Sequence, residues 1–444
     1  MPQTLAAYTA EYQRAAQFRK DADREGLTAL RHEAMNRFLS LGFPTTRDED
    51  WRFTSVAPIA DRAFMVPSPA SRELADEITP LRLTGACAIE LVFINGRFEP
   101  ALSRQGALPN GSRVEHLVSS LAACGDEIDP YLARIAPFEQ HAFVALNTAF
   151  LDDGACIQLP AGTVLEQPIH LLFVAADTAK AKGRPAMVHP RVLIVLGASS
   201  QAAIVQTYAG PAGAQYFTNT VTEIDLGENA ALDHYTLQYE SAAAYHVGAI
   251  HVRAARSAGY ASHSISLGGA LARTDVVAVL RGEGIECALN GLYLADGQRL
   301  VDNHTTIDHA QPHCESRELY KGILADRARG VFNGKIIVRP DAQKTDARQT
   351  NRALLLSEHA QINTKPQLEI FANDVKCTHG AAVGQLDEEA VFYLRSRGLG
   401  DAGARHMLTV AFAAEVVNRL PLEAARASVD HRLEGQLTRM SAAA

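Results

Sequence analysis

The residues of this chain best suited to chemistry lie near its C-terminal end, in the run DVKCTHG at 374–380. Read as a strand, this run places Cys377 and His379 two apart and therefore on one face, with Thr378 on the other. A thiolate beside an imidazole can ligate a soft or borderline metal. The same pair can act as a Cys–His nucleophile, and one or both can equally pack without function. As a metal site it is incomplete, because a cluster normally takes four ligands and other strands or a second chain must supply the rest. A second concentration, DNHTTIDHAQPHCESRELYKG at 302–322, holds His304, His309, His313 and Cys314. Its histidines do not share one face of a regular strand and can converge only through a bend at Pro312. Asp302, Asp308 and Glu315 can hold these imidazoles by hydrogen bonds instead, so a structural role at a corner of the fold is the expectation.

Other patterns narrow the field by their absence. The chain has no GxxxxGK[ST] phosphate loop, no GxSxG elbow and no HExxH pair, which removes the commonest ATPase, serine hydrolase and zinc protease readings. Its six cysteines, at 87, 124, 156, 287, 314 and 377, are too far apart to form a CxxC element. Cys87, Cys156 and Cys287 sit in apolar runs and are expected as buried thiols. With 42 basic against 50 acidic residues the net charge is −8, which argues against a nucleic-acid surface. No run approaches the roughly 18 uninterrupted apolar residues of a membrane span, and the N-terminus lacks the apolar block of a secretory signal. A cytoplasmic protein is expected.

The elements that must position these residues fall into three regions. In the first, 1–85, Leu5, Tyr8, Tyr12, Ala15 and Phe18 recur at helical spacing, and after Gly26 so do Leu27, Leu30, Ala34 and Phe38. Gly42 and Pro44 close that segment, and Trp51 follows as a packing anchor beside Phe53. From 86 to 385 the period changes to two. Turn-like clusters begin at 197, 227, 255, 268, 282, 295, 325, 340, 357 and 372, and the longer gaps are about twice the shorter ones, as if some turns carried no mark. Strands this short and this evenly punctuated bury their inner faces against one another in a coiled stack. Between 197 and 385 no helix of crossover length interrupts them. A parallel β-helix is therefore expected, with a sandwich or double-stranded helix as the alternative.

In the third region, 386–444, helical spacing returns. Asp387 is placed to cap EEAVFYLRSR, which Gly398 ends, and Asp401 to cap AGARHMLTVAFAAEVVNRL, which Pro421 ends. The first helix shows Arg395 and Arg397 next to Phe392, Tyr393 and Leu394. This amphipathic pair either caps the stack or offers a docking surface.

A resemblance orders these observations. LYLADGQRLVDNHTTIDHAQPHCESRELYKGIL, then GVFNGKIIVRPDAQKTDARQTNRALLLSEHAQINTKPQLEIFANDVKCTHGAAVGQLDEEAVFYLRSRGL, resembles the C-terminal half of the SufB/SufD family of iron–sulfur cluster assembly scaffolds. DEDWRFTS resembles the N-terminal part, and the likeness is weaker between about 60 and 190. Three features favour the SufD branch over the SufB branch: no clustered N-terminal cysteine motif, no cysteine in QTNRALLLSEHA, and Gly380 after the histidine in place of glutamate. Thr378 departs from the serine usual in that branch.

The resemblance implies a mainly β protein, a right-handed parallel β-helix between helical ends. It implies a SufB–SufD heterodimer joined through the last strands, or a homodimer when the chain is isolated, with the SufC ATPase docked on the C-terminal helices at Phe392, Tyr393, Leu394, Arg395, Arg397, Gly398 and Leu399. His379, with Cys377 as its neighbour, would meet a SufB cysteine and share a transient iron–sulfur cluster, none being held stably by the chain alone. No catalysis by the chain itself is expected. The rival readings are a cytosolic β-helix hydrolase or lyase using His304, His309 or the Cys377/His379 pair, and a SufB-like homodimeric scaffold.

Overall fold

A chain of short strands with apolar inner faces must stack them, and this one winds them into a parallel solenoid of two ten-stranded sheets. The computed structural model describes residues 3–18, 25–67, 78–83, 85–87, 89–175 and 183–443. Residues 1–2, 19–24, 68–77 and 84 of the expected helical region lie outside these. In the first sheet, successive strands begin at Glu286, Glu315, Asp346 and Lys376, advances of 29, 31 and 30 residues. Each coil contributes one strand to each sheet, as where Glu286–Ala295 leads through a turn to Leu300–His309 in the second sheet.

The corners explain the punctuation. Ser199, Asn229, Ser257, Gly284, His313 and Lys344 occupy one corner with positive φ. The backbone N–H of each donates to a carbonyl of the following coil: Ser199 to Glu228, Asn229 to Arg256, Ser257 to Glu283, Gly284 to Pro312, His313 to Gln343 and Lys344 to Asp374. The ladder of hydrogen bonds thus continues around the bend, which keeps corner amides satisfied. The doubled gaps in the sequence hold turns as well, the first a Gly-Pro turn at 210–213 that the spacing count passed over, the second a run of alanines that gives little signal. Ala214 bonds back to Pro211 and Ala244 to Ser241, and the third is the corner at His313.

Side chains alternate across each strand. The interior holds Ile204, Leu289, Ile307, Phe332 and their neighbours. The outer face of the first sheet is covered by the C-terminal helices through Tyr235, Leu237, Leu292 and Ile323 against Val416, Leu420, Val429 and Leu437. The outer face of the second is covered by the N-terminal helices and by helix Ala142–Ala149, through Phe217, Val247 and Leu271 against Tyr8, Phe38 and Phe143. Each fully buried side chain of this size stabilises by roughly 1.5–3 kcal/mol, and these two flanking seams hold the helices in place. Trp51 packs as expected, 5.3 Å from the Phe143 ring, with the Arg273 guanidinium 3.7 Å above it.

Two helices, Leu117–Ile128 and Ala142–Ala149, interrupt the stretch that the alternation marks as β. The second is buried on all sides, so no amphipathic period betrays it. The segment between the two helices, and the second helix itself, are fixed to the second sheet by a closed polar bracket. Glu223 pairs with Arg191 at 2.6 Å and accepts the N–H groups of Ala133, Ile135 and Ala136, while Arg191 donates to Asn147 and Thr148. At the C-terminus the helices are Glu388–Ser396, Asp401–Val417 and a third, Glu423–Ala443. Asp387 caps the first by accepting the Glu389 N–H at 2.9 Å. The second begins from Gly400 rather than being capped by Asp401. The Asp401 carboxylate bonds Arg405 at 2.9 Å and Arg395 at 3.3 Å instead.

Candidate functional site

DVKCTHG forms part of the last strand, Lys376–Gly384, which pairs in parallel with Asp346–Leu355 and forms the end of its sheet. The register sets Ala347 beside Cys377, Gln349 beside His379 and Asn351 beside Ala381. Ala347, Gln349 and Asn351 are buried while Arg348 and Arg352 are exposed. Cys377 and His379 therefore continue the interior file of the solenoid onto a coil with no further coil stacked on it. His379 is exposed and Cys377 half-buried, the latter against Ala347, Ala372 and Val338. Burial pushes the Cys377 thiol above its ordinary range, the neighbouring Asp346 adding to the effect. Near neutral pH it is a thiol.

The open coil presents apolar surface as well. Ile370 and Phe371, at the end of strand Gln361–Ile370, and Val383 on the last strand are all exposed. An exposed apolar edge strand is a template for pairing with another chain.

The histidines of the second cluster are not brought together. His304 faces outward, 3.1 Å from Asp302 and beside Asn333. His309 faces inward and shares a hydrogen bond of 2.9 Å with Ser316. His313 stands at the corner, exposed. Of the three nearby acids only Asp302 holds an imidazole: Asp308 pairs with Arg339 at 2.6 Å, and Glu315 with Arg317 at 3.1 Å. Among the described residues, no three His, Cys, Asp or Glu side chains are grouped to hold a metal ion.

At the C-terminal helices, Phe392 is 71% exposed and Tyr393 60%. Met407 and Val410 on the next helix are also exposed. Arg395, Arg397 and Gly398 face solvent, with Leu394 and Leu399 half-buried, and Val391 fixes the first helix from beneath. Sequence reasoning missed what ties this hairpin to the solenoid. Lys321, buried in strand Glu315–Leu324, reaches Glu415 at 2.5 Å and the Phe412 carbonyl at 2.9 Å, with its ammonium 4.1 Å over the Phe412 ring. Arg352, in register with Lys321 on the next strand, reaches Glu415 at 3.4 Å. No local signal marks it, since Lys321 sits between Leu319 and Ile323 on an outward face that also carries Arg317.

Comparison with known proteins defines the class. Residues 177–412 match the SUF system FeS cluster assembly, SufBD core domain, and residues 3–171 match the SufBD protein N-terminal region. The chain belongs to the SufB/SufD family of the SUF iron–sulfur cluster assembly system. It is 36% identical over 404 residues to an iron–sulfur cluster assembly SufBD family protein of Synechocystis, covering 89% of this chain and 88% of that one. It is 31% identical over 407 residues to the iron–sulfur cluster assembly protein SufD of Escherichia coli, covering 91% of each, and its likeness within the family is to SufD. Over 418 residues it is 30% identical to protein ABCI7, chloroplastic, of Arabidopsis thaliana, covering 93% of this chain and 86% of that one.

Proposed function

We propose that this chain is the SufD-type scaffold subunit of a cytoplasmic SUF assembly complex. It pairs with SufB through its bare terminal coils, docks one SufC ATPase on the hairpin of Glu388–Ser396 and Asp401–Val417, and contributes His379 to a site at the SufB–SufD interface where the nascent cluster is built. The observation that carries this reading is the placement of Cys377 and His379 on an uncovered terminal strand, beside exposed Ile370, Phe371 and Val383. A two-residue ligand set on an unpaired edge is half a site, and a second chain that pairs with the edge supplies the other half.

The chemistry follows from the residues. The cluster is cargo, transiently shared, and a neutral imidazole holds iron less firmly than a thiolate, which suits later transfer. Cys377, kept protonated by burial, stands ready beside it. ATP hydrolysis belongs to SufC, because this chain has no phosphate loop. When two SufC subunits bind ATP and approach, they draw on the C-terminal hairpins and shift the complex toward an open interface, exposing a SufB cysteine and His379. Co-expression with SufB and SufC, anaerobic purification and absorption spectroscopy test the proposal. A brown ternary complex is expected, with most of its visible absorbance lost in His379→Ala while the three subunits still co-purify. Cluster yield unchanged by that substitution would remove His379 from the site.

A further inference from the structure

We propose that Glu318 is a proton-controlled latch, whose ionisation loosens the terminal coils that carry Cys377 and His379. Glu318 lies on the inward face of strand Glu315–Leu324, and register places Gln349 beside it one coil on and His379 beside Gln349 at the end. It is only 4% exposed. Its carboxyl takes a 2.7 Å hydrogen bond from the Gln349 amide on one oxygen, while the other oxygen, with Thr305 of the opposite sheet nearby, has no hydrogen-bond partner. The Gln349 side chain crosses the interior to do this: a Cβ on Gly334 would fall 2.2 Å from its Nε2, so the glycine makes room for the link.

The other titratable groups of this interior offer no positive charge. Cys287, Tyr260 and Tyr320, on the same sheet, are pushed up by burial and stay neutral. His309, on the opposite sheet, is held down to about 4 by burial and is neutral as well. Tyr293 is pushed up likewise. Among the described residues, no cation acts on Glu318, and burial, opposed by Thr305 and Gln349, raises its carboxyl to about 7. Once ionised it is a buried anion with one amide donor and one unpartnered oxygen, and hydrating it is strongly favoured. Water has its shortest way in at the bare end, where strands Gln361–Ile370 and Lys376–Gly384 are half-buried to exposed.

The sign is fixed by linkage. A carboxyl raised in the closed coil and ordinary in the opened one holds the coil shut fully below its ordinary range, and that hold is lost as pH rises to about 7. The slope is at most about tenfold in opening per pH unit for one proton. The latch does not depend on the proposed function, and it is tested on the full chain without partners. Hydrogen exchange by mass spectrometry is measured between about pH 5.5 and 7.5, each rate divided by its intrinsic value. Opening of 361–384 is expected to rise about tenfold or more across that range relative to 231–266, and to stay flat in Glu318→Gln. Gln349→Leu, which removes a donor to the anion, should move the rise to higher pH. An equal rise in Glu318→Gln, or an unmoved midpoint in Gln349→Leu, would overturn the latch.

Discussion

The two ends of the solenoid face the same physical problem and meet it in opposite ways. At the first end, the edge strand Ile89–Ile94 is covered by the antiparallel strand Arg97–Phe98, and Gly154–Leu159 by Arg113–His116. Phe98 packs 5.8 Å from Phe93 and stacks on His116 at 4.8 Å, and helix Leu117–Ile128 closes over the side. At the second end, Gln361–Ile370 and Lys376–Gly384 finish their sheets bare. Solenoids need polar or covered ends to stay soluble and single. This chain builds two reversed strands and a helix to close one end, and leaves apolar side chains showing on unpaired strands at the other.

The comparison breaks most severely at the covered end. Glu223→Ala strands the fully buried Arg191 guanidinium and leaves the amides of Ala133, Ile135 and Ala136 without their acceptor. A cost of about 3–5 kcal/mol is expected, because an uncompensated charge remains inside. Urea unfolding measures it, and a loss below about 1 kcal/mol would mean that the bracket does not hold the insert.

Paired substitutions sharpen the contrast between the ends. Val383→Glu, at the bare end, should leave the stability of the isolated chain within about 0.5 kcal/mol. It should weaken capture of SufB about tenfold or more, the equivalent of roughly 1.4 kcal/mol. Phe98→Glu should do the reverse, costing about 2 kcal/mol of folding stability through lost burial while SufB capture stays intact. Calorimetry and pull-down titration read the two effects. A Val383→Glu chain that unfolds as readily as Phe98→Glu would show both ends to be ordinary core.

This contrast also marks how far the sequence could be read. Alternation and turn spacing were enough for a coiled stack, because each coil repeats one local rule, and even the unmarked turns fell at the doubled gaps. Cys377 and His379 were legible as a same-face pair because strand parity is a local property. That their strand is the last, with nothing stacked on it, is a matter of how many coils the chain builds, which no window of residues reports. The histidines at 304, 309 and 313 looked like a cluster only in one dimension: parity sends the first two to opposite faces, and the corner takes the third. Lys321, Glu318 and Gln349 were invisible for the opposite reason, since each finds its partner across coils about 30 residues or more away.

The outer clamp between solenoid and hairpin gives a smaller test, near the bare end. Glu415→Gln removes the carboxylate shared by Lys321 and Arg352. About 1 kcal/mol is expected, discounted because the Glu415 side chain is well exposed to solvent. The hydrogen bond from Lys321 holds the Glu415 carboxyl below its ordinary range. Its stabilisation is therefore complete above that range and lost as pH falls through the lowered value. Urea midpoints of the two chains should converge in acid and differ near neutrality. A difference that persists unchanged into acid would remove the ion pair as its cause.

The smallest effect compares two thiols, one at each end. Cys156 lies beneath helix Leu117–Ile128, packed with Leu117 and Leu121, and burial pushes it up to about 12. Cys377 is half-buried on the bare strand. Alkylation of the native chain at about pH 8 should label Cys377 slowly, because its thiol is also raised, and leave Cys156 untouched, since only an accessible thiolate reacts. Cys124 is half-buried at the kink of that same helix and serves as the internal control for helix opening. Binding of SufB should protect Cys377 alone. Equal labelling of Cys156 and Cys377 would mean that the first end opens as readily as the second. The reversed strands and the helix would then be decoration rather than closure, and the bare end would lose its claim to be special.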